Sequence, residues 1–385
     1  MRVLHLISGL SAGGAETVLC KLLSRLEGDD FRSEVVSLGA DGPVGDAIRS
    51  LGVPVATLNM KPGQPDPRLV TRGRAHILRR KPDLIQTWMY HADLVGGIAA
   101  RLGSAPPVIW NIRHTLVRRS DLKHSTLLVA RVNAALSRLI PARIVCCAES
   151  ALETHLRLGY ARDKMLVIPN GFDLELFRPN PTARAEVRFA LGVDETSPLI
   201  GLCGRFDLQK DHNNFFRAAG ILHATRPDAN FVLWGRGVDS ANSLLAKWIS
   251  AEDLQASVHL LGFRTDSQHI NAALDIGTLS AAYGEAFPNV IGEAMSCGIP
   301  CVVTDVGDSA KIVGNTGRVV PPRQPEALAA AWQELLQLDP EERAGLGGRA
   351  RQRVVDLFSL DRMADAYAEL YRDIIGGARR LPAGS

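Results

Sequence analysis

Short apolar runs rich in β-branched residues alternate along the chain with stretches in which apolar residues recur every three or four positions. The first kind reads as strands buried on both faces and the second as amphipathic helices, and their alternation predicts βαβ units around parallel sheets. In the first half, strands are expected at 3–7, 34–37, 84–87, 108–111, 142–146 and 167–169, with helices following Gly14, Val44, Asp66 and His91. The pattern restarts after Pro198, with strands at 199–203, 230–234, 258–260, 276–280, 300–303 and 318–320. Helices there start near Asp211, Ser240, Ser267, Pro288 and Pro325, and the terminal stretch 341–375 reads as helical and amphipathic. The expected architecture is α/β, with two doubly wound, Rossmann-like parallel-sheet domains facing each other across a cleft. Their bounds fall at 1–173 and 174–358, and the helix and tail at 359–385 pack back on the first domain. The seam is placed at the turn-rich IPNGFD, 168–173, and the polar stretch after it to about Ser197. Ligands of doubly wound sheets bind beyond the carboxyl ends of the strands. Alternation by itself also fits dehydrogenases and sugar-binding receptors.

Composition narrows this little. Apolar residues make up 46% and charged residues 22% of the 385, an ordinary balance for an enzyme with sizeable cores. The six cysteines form no C-x-x-C pair and mostly sit in apolar runs, which points to core packing in a reducing compartment. The N-terminal run after Arg2 is about six apolar residues, short for a signal peptide, and reads better as a first strand entering a glycine turn. No run approaches the ~20 residues needed to span a bilayer. A cytoplasmic protein is therefore expected. Residues 1–170 carry 23 Lys/Arg against 14 Asp/Glu, while 171–385 carry 21 against 27, so the first half is the one expected to face an anionic partner.

Three segments carry candidate chemistry. The loop Gly9-Leu-Ser-Ala-Gly13-Gly14-Ala-Glu16 joins the first strand to a helix, where glycines let backbone N–H groups approach a phosphate. A purely structural turn explains it equally well, and it is neither a Walker A loop nor G-x-G-x-x-G. The second segment, Gly204-Arg205-Phe-Asp-Leu-Gln-Lys210, follows the first strand of the second half. Its two cations can converge on a leaving diphosphate and take the place of a divalent metal. Two solvated surface cations would be the bland alternative. The third and most specific segment spans 283–310, YGEAFPNVIGEAMSCGIPCVVTDVGDSA. Glu285 and Glu293 flank Pro288-Asn289, and proline favours the first helical position, so a helix is expected to start there. Glu285 then lies in the loop and Glu293 one to two turns inside the helix, and free N–H groups of 287–290 are available to phosphate. No D-x-D, H-E-x-x-H, nucleophile elbow or zinc constellation occurs, so no metal site is expected.

These segments resemble glycosyltransferase family 4, a GT-B family of retaining enzymes. The segment 284–310 looks like its E-x7-E region, GRFDLQK its diphosphate clamp, SAGGAE its first donor-side loop and IPNGFD its linker. WNIRHT, 110–115, is similar to the strand end that presents an active-site histidine. The likeness covers nearly the whole chain, most closely 201–322, and is strongest to bacterial enzymes of O-antigen or exopolysaccharide assembly. It implies that Glu293 binds the donor ribose and that Glu285 contacts the transferred sugar. Arg205 and Lys210, with Gly204, hold the diphosphate, and Gly13 and Gly14 lie at the donor-side loop. Phe287, Pro288, Asn289 and Val290 supply contacts to sugar and phosphate, and Phe263 and Arg264 border the base. His114 hydrogen-bonds the sugar near the scissile bond, unless it is a histidine satisfied at a strand end. Where many relatives carry paired histidines, this chain has Gln86-Thr-Trp-Met-Tyr-His91, which leaves acceptor specificity open. No cofactor is implied; the co-substrate is a UDP- or GDP-linked sugar and the acceptor a glycan or lipid-linked sugar. The alternatives are a GT-B-like sugar-nucleotide 2-epimerase and a non-catalytic nucleotide-sugar-binding protein.

The stretch 113–143 carries Arg113, Arg118, Arg119, Lys123, Arg131, Arg138 and Arg143 against the single Asp121. It reads as an amphipathic basic surface for anionic lipid, on the inner face of the cell membrane. A solvated helix packed on the first sheet is the alternative. Nucleic acid is not an expected partner, since stacking aromatics are missing from the run.

Overall fold

A computed structural model of the chain describes residues 1–11, 13–26, 28, 30–61, 66–102, 106–115 and 124–380. The chain forms two compact units, one of residues 1–171 with 360–385, the other of 172–359.

The N-terminal unit is built on seven strands: β1 Arg2–Ile7, β2 Arg32–Ser37, β3 Val55–Thr57, β4 Leu84–Trp88, β5 Val108–Ile112, β6 Arg143–Cys146 and β7 Met165–Val167. All pairings are parallel, in the order β3-β2-β1-β4-β5-β6-β7. The order reverses between β1 and β4, whose register pairs Val3 with Leu84 and Ile7 with Trp88. Both β4 and β5 are buried on both faces, and the polar residues they carry, Gln86, Thr87 and Asn111, are buried with them. The helix Leu360–Arg380 belongs to this unit. Its Leu360, Met363, Ala364, Tyr367, Ala368, Tyr371 and Ile375 join one core with Val3, Ile7, Leu19, Leu23, Val35 and Trp88. Two of these carry polar tips to the sheet: Asn111 donates to the Tyr367 hydroxyl at 2.7 Å, and the Tyr371 hydroxyl donates to Gln86.

The second unit repeats the plan with six strands: β8 Leu199–Cys203, β9 Asn230–Trp234, β10 Val258–Leu260, β11 Ile276–Leu279, β12 Cys301–Thr304 and β13 Arg318–Val320. Their order is β10-β9-β8-β11-β12-β13, all parallel, with the reversal between β8 and β11. Phe215, Phe231 and Trp332 form the aromatic centre of its core; Trp332 meets Phe215 edge-on at 5.2 Å and donates its indole N–H to Thr278.

The structure corrects or sharpens four expectations. The strand β3 was not expected, because three residues leave too short a pattern to read. The polar stretch taken as linker holds the helix Pro181–Leu191. Its Arg188 is 1% exposed and bonds Asp275 and the carbonyls of Ala273 and Asp194, so a charge that looked solvent-facing is a core tie. The terminal stretch, expected to be helical, is two helices, Pro340–Phe358 and Leu360–Arg380, parted at the extended Ser359, which bridges to Phe172. Pro288 is the residue before its helix, not the first within it, with ψ near 104° and the helix running Asn289–Ser296.

Candidate active site

In the second unit, the loops beyond β8, β9, β10 and β11 come together at the carboxyl edge of the sheet, around its reversal point. The loop after β8 turns through the short 3-10 segment Leu208–Lys210, which Asp207 caps by accepting from the Gln209 N–H at 2.9 Å. That turn aims Lys210 across to the loop after β11. Its Nζ donates to Glu285 Oε1 at 2.6 Å, with the two side chains only 15% and 10% exposed. Gln209 Nε2 donates to the same oxygen at 3.3 Å. Arg205 is more open: its Nε donates to Asp207 at 3.0 Å, and it reaches the Gln209 side-chain oxygen at 3.5 Å. The two cations are therefore held unequally, Lys210 seated on Glu285 and Arg205 tethered beside it through Asp207 and Gln209.

Glu285 is fixed from beneath. Gly307 follows β12 with φ of +64°, and a Cβ there would lie 2.4 Å from the Glu285 carbonyl oxygen, so only glycine permits this approach. The Asp308 N–H donates to the Ala286 carbonyl at 2.9 Å, completing the support. Glu293 lies four residues after Asn289 and so shares a helix face with it. Its charge reaches the half-buried Cys203 at the end of β8. Burial first, and Glu293 second, push that thiol up to about 12 against the opposing pull of Lys210. Lys210, Glu285 and Glu293 thus gather at one strand end. The first-turn N–H groups of the short helix, Val290 among them, lack i−4 carbonyl partners within it. The Phe287 ring stacks on Phe172 at 6.1 Å and meets Phe358 edge-on at 5.4 Å, leaving it 8% exposed. Only its backbone is left to meet a ligand.

The β9 loop was not singled out from the sequence, although two glycines in three residues at a strand end were a usable signal. Its backbone is stitched to both neighbours. The Gly204 N–H donates to Trp234 O and the Phe206 N–H to Arg236 O, while the Gly235 N–H donates to Gly262 O. Gly235 has φ of +147°, and a Cβ there would stand 2.1 Å from the Gly204 carbonyl oxygen. Arg236 lies over the Phe263 ring at 5.2 Å, and Phe263 is 59% exposed. Arg264 turns instead to Asp266, at 2.8 Å from Nε.

In the N-terminal unit, Gly14 opens the helix Gly14–Leu26, and the Gly13 carbonyl accepts from the N–H and hydroxyl of Thr17. The Glu16 carboxylate folds over Gly13 so closely that a Cβ there would meet it at 2.4 Å. His114 stands just past β5, edge-on to Tyr90 at 4.6 Å. Both its ring nitrogens are shielded and lack hydrogen-bond partners, and desolvation lowers its pKa to about 4. The imidazole is neutral near pH 7. Tyr90 in turn bonds His155 through its hydroxyl.

The basic stretch is described only in part. Arg113 is half-buried, bonded to Asn170 and lying over Trp88 at 5.6 Å. Arg118, Arg119, Asp121 and Lys123 fall outside the described residues. Arg131, Arg138 and Arg143 are exposed, on and after the helix His124–Leu136, near Leu128 (63% exposed) and Leu139 (65%). Among the described residues no helix is long and apolar enough to cross a membrane, and no group of three or more His, Cys, Asp or Glu is placed to hold a metal ion.

Comparison with known proteins agrees with this geometry. Residues 197–338 match the family described as "Glycosyl transferases group 1", and 12–176 match "Glycosyltransferase Family 4". A curated relative from Escherichia coli, UDP-Gal:alpha-D-GlcNAc-diphosphoundecaprenol alpha-1,3-galactosyltransferase, is 26% identical over 86% of this chain and 85% of its own length. The putative glycosyltransferase EpsF of Bacillus subtilis is 24% identical over 92% of this chain and 90% of its own. Among solved structures, Anabaena HepE in complex with UDP superposes with a TM-score of 0.84 at 24% identity, covering 97% of this chain and all of that one. With both halves matched in sequence and the two-sheet architecture shared, the chain carries a glycosyltransferase family 4 domain followed by a glycosyl transferases group 1 domain and is a glycosyltransferase of the GT-B fold.

Proposed function

We propose that this transferase draws its sugar from a nucleoside-diphosphate donor laid along the carboxyl edge of the second sheet. Transfer goes with retention, needs no divalent metal, and ends on a lipid-linked or growing bacterial surface glycan. The observation that carries the reading is the Lys210–Glu285 pair at the β8/β11 reversal, with Arg205 tethered alongside. Along that edge the β11 loop offers Glu285 to sugar hydroxyls, and the β8 loop offers cations to the diphosphate. The β9 and β10 loops offer a cation and an open aromatic ring to the nucleoside. Glu293, one turn into its helix, suits the ribose.

As the bond from anomeric carbon to phosphate oxygen breaks, negative charge grows on the diphosphate. Lys210, Arg205 and the helix's first-turn N–H groups are the groups to stabilise it. The departing phosphate oxygen takes the proton of the incoming acceptor hydroxyl, so Glu285 need not act as a nucleophile. His114 is neutral, and because both its ring nitrogens are shielded, it hydrogen-bonds a sugar hydroxyl only once the ring turns toward it. The relatives support the donor and acceptor classes: HepE is also solved with UDP-glucose, and the Escherichia coli enzyme is named for UDP-Gal and a diphosphoundecaprenol acceptor. Names of this kind favour transfer over epimerisation or mere binding.

Exposed Leu128 and Leu139 beside Arg131, Arg138 and Arg143 support docking on an anionic bilayer, where such an acceptor resides. The test is to incubate the native protein with labelled UDP-, GDP- and ADP-sugars and a bacterial lipid extract, with and without EDTA. Expected is label in the lipid fraction, undiminished by EDTA, with the anomeric configuration of the donor kept. A strict metal requirement or an inverted product would overturn the mechanism.

A further inference from the structure

We infer that Tyr90, pinned by His155, is the positioning residue of His114 and sets the arc through which that imidazole turns from its shielded place toward the sugar. The inference rests on the part given to His114 above. His114 meets Tyr90 edge-on at 4.6 Å, and neither of its own ring nitrogens has a hydrogen-bond partner. No polar contact orients the imidazole, so the ring it leans on does. An aromatic neighbour serves in that way only if it cannot itself move.

Tyr90 is held at three points, each by a different element. Its hydroxyl bonds His155 Nε2, on the helix Glu149–Leu158. The direction of that bond follows from the other side of the His155 ring. There Nδ1 lies 2.6 Å from the Ala151 carbonyl, which can only accept, so Nδ1 carries the proton. Burial keeps the imidazole neutral, its pKa lowered to about 4, so Nε2 has a lone pair and the Tyr90 O–H donates to it. The Tyr90 carbonyl accepts from Asn133 Nδ2 at 2.9 Å, on the helix His124–Leu136. The third hold is Met89, whose φ of +76° and ψ of 156° are backbone that side-chain-bearing residues rarely adopt. Its N–H donates to the Asn111 carbonyl in β5 at 3.0 Å, and the bend turns Tyr90 inward, 2% exposed, as the first residue of the helix Tyr90–Arg101. Tyr160 backs the arrangement, edge-on to His155 at 5.1 Å. Of the segment 86–91, it is thus the tyrosine and not His91 that bears on the site.

The experiment measures transfer of label from the sugar nucleotide the native chain uses to a bacterial lipid extract, for the native chain, Tyr90→Phe, His155→Ala, His155→Gln, His114→Ala and the double variant of Tyr90→Phe with His114→Ala. A small misplacement of a group beside the reacting bond is costly, so Tyr90→Phe and His155→Ala should each lower kcat by about tenfold while donor KM and UDP or GDP affinity hold. His155→Gln, whose amide oxygen can accept the Tyr90 hydroxyl, should keep most of the native rate. In the His114→Ala background, Tyr90→Phe should cost nothing more, because a residue that acts through another has no effect once the other is gone. Circular dichroism checks folding. Tyr90→Phe removes one oxygen and keeps the buried ring, so with His155→Gln it carries the comparison should His155→Ala unfold. Additive losses in the double variant would make Tyr90 a structural residue and overturn the inference, and so would a native rate in folded Tyr90→Phe. If His114→Ala bound UDP or GDP and turned over at the native rate, the part given to His114 would itself fall, and this inference with it.

Discussion

Replacing Lys210 by Met separates what the ion pair does for the fold from what it does for transfer. In the native chain, Lys210 Nζ sits 2.6 Å from Glu285 Oε1, with 15% and 10% of the two side chains exposed. Removing one partner of a fully buried pair costs ~3–5 kcal/mol. Here some solvent contact remains and Gln209 still donates to the carboxylate at 3.3 Å, so about 2 kcal/mol is expected. At ~2–4 °C per kcal/mol for a unit of this size, Tm should fall by roughly 4–8 °C. Turnover should fall further, by ~10²–10³ in kcat, because the lost group opposes charge that appears only as the diphosphate leaves. Glu285→Gln should behave differently: the amide keeps the shape and leaves Lys210 free for phosphate, so UDP or GDP affinity holds while transfer is lost. The double variant should regain stability relative to Lys210→Met, since no carboxylate is stranded, yet stay inactive. Differential scanning calorimetry, nucleotide titration and initial rates on the three variants read these outcomes. A folded Lys210→Met enzyme turning over within threefold of the native rate would refute the clamp.

Three further outcomes follow from the geometry. Gly235→Ala puts a Cβ where the Gly204 carbonyl oxygen stands, at a φ open only to glycine, and should cost about 2–4 kcal/mol and abolish nucleotide binding; a variant with native Tm and affinity would contradict the close approach. Tyr371→Phe leaves the fully buried Gln86 oxygen without that hydroxyl and should cost ~1–3 kcal/mol in urea unfolding, with no direct effect on nucleotide affinity. Burial lowers the pKa of His5 to about 3 and of His155 and His212 to about 4, so the unfolded chain takes up their protons first as pH falls from 6.5. Stability should be full above that pH and decline by several kcal/mol toward pH 4. Asp93, whose buried carboxyl is held well above the usual range, acts in the opposite sense, as do the raised carboxyls of Glu16, Glu34 and Asp211, while His114, also lowered to about 4, adds to the histidine effect. Urea midpoints unchanged between pH 7 and 5 would refute this.

Much of the fold was readable because parallel strands buried on both faces leave unbroken apolar runs. The strands β8, β9, β10 and β13 fall where the pattern puts them. What escaped depends on contacts remote in sequence. Arg188 looks like any surface cation until Asp275, 87 positions on, is folded against it. Ser359 breaks an apparently continuous helix because it bridges to Phe172. In the site, the composition of 283–310 pointed to Glu285 and Glu293, and the fold brings Lys210 against Glu285. Arg236 was invisible, since one cation between two glycines has no meaning until the open face of Phe263 is seen beneath it. That the Phe287 ring packs between Phe172 and Phe358 was likewise not readable, since both partners are remote in sequence.

The helix Leu360–Arg380 has a consequence for how the protein is made. Its tyrosines finish a sheet whose last strand ends at Val167, yet the whole of the other unit, 172–359, is translated in between. At ~5–20 residues per second, the nascent first half waits roughly 10–40 s on the ribosome with Gln86, Asn111 and Trp88 uncovered. The uninterrupted unit can therefore mature first, although it is begun second, and the stretch synthesised earliest stays a client for chaperones until the final helix emerges.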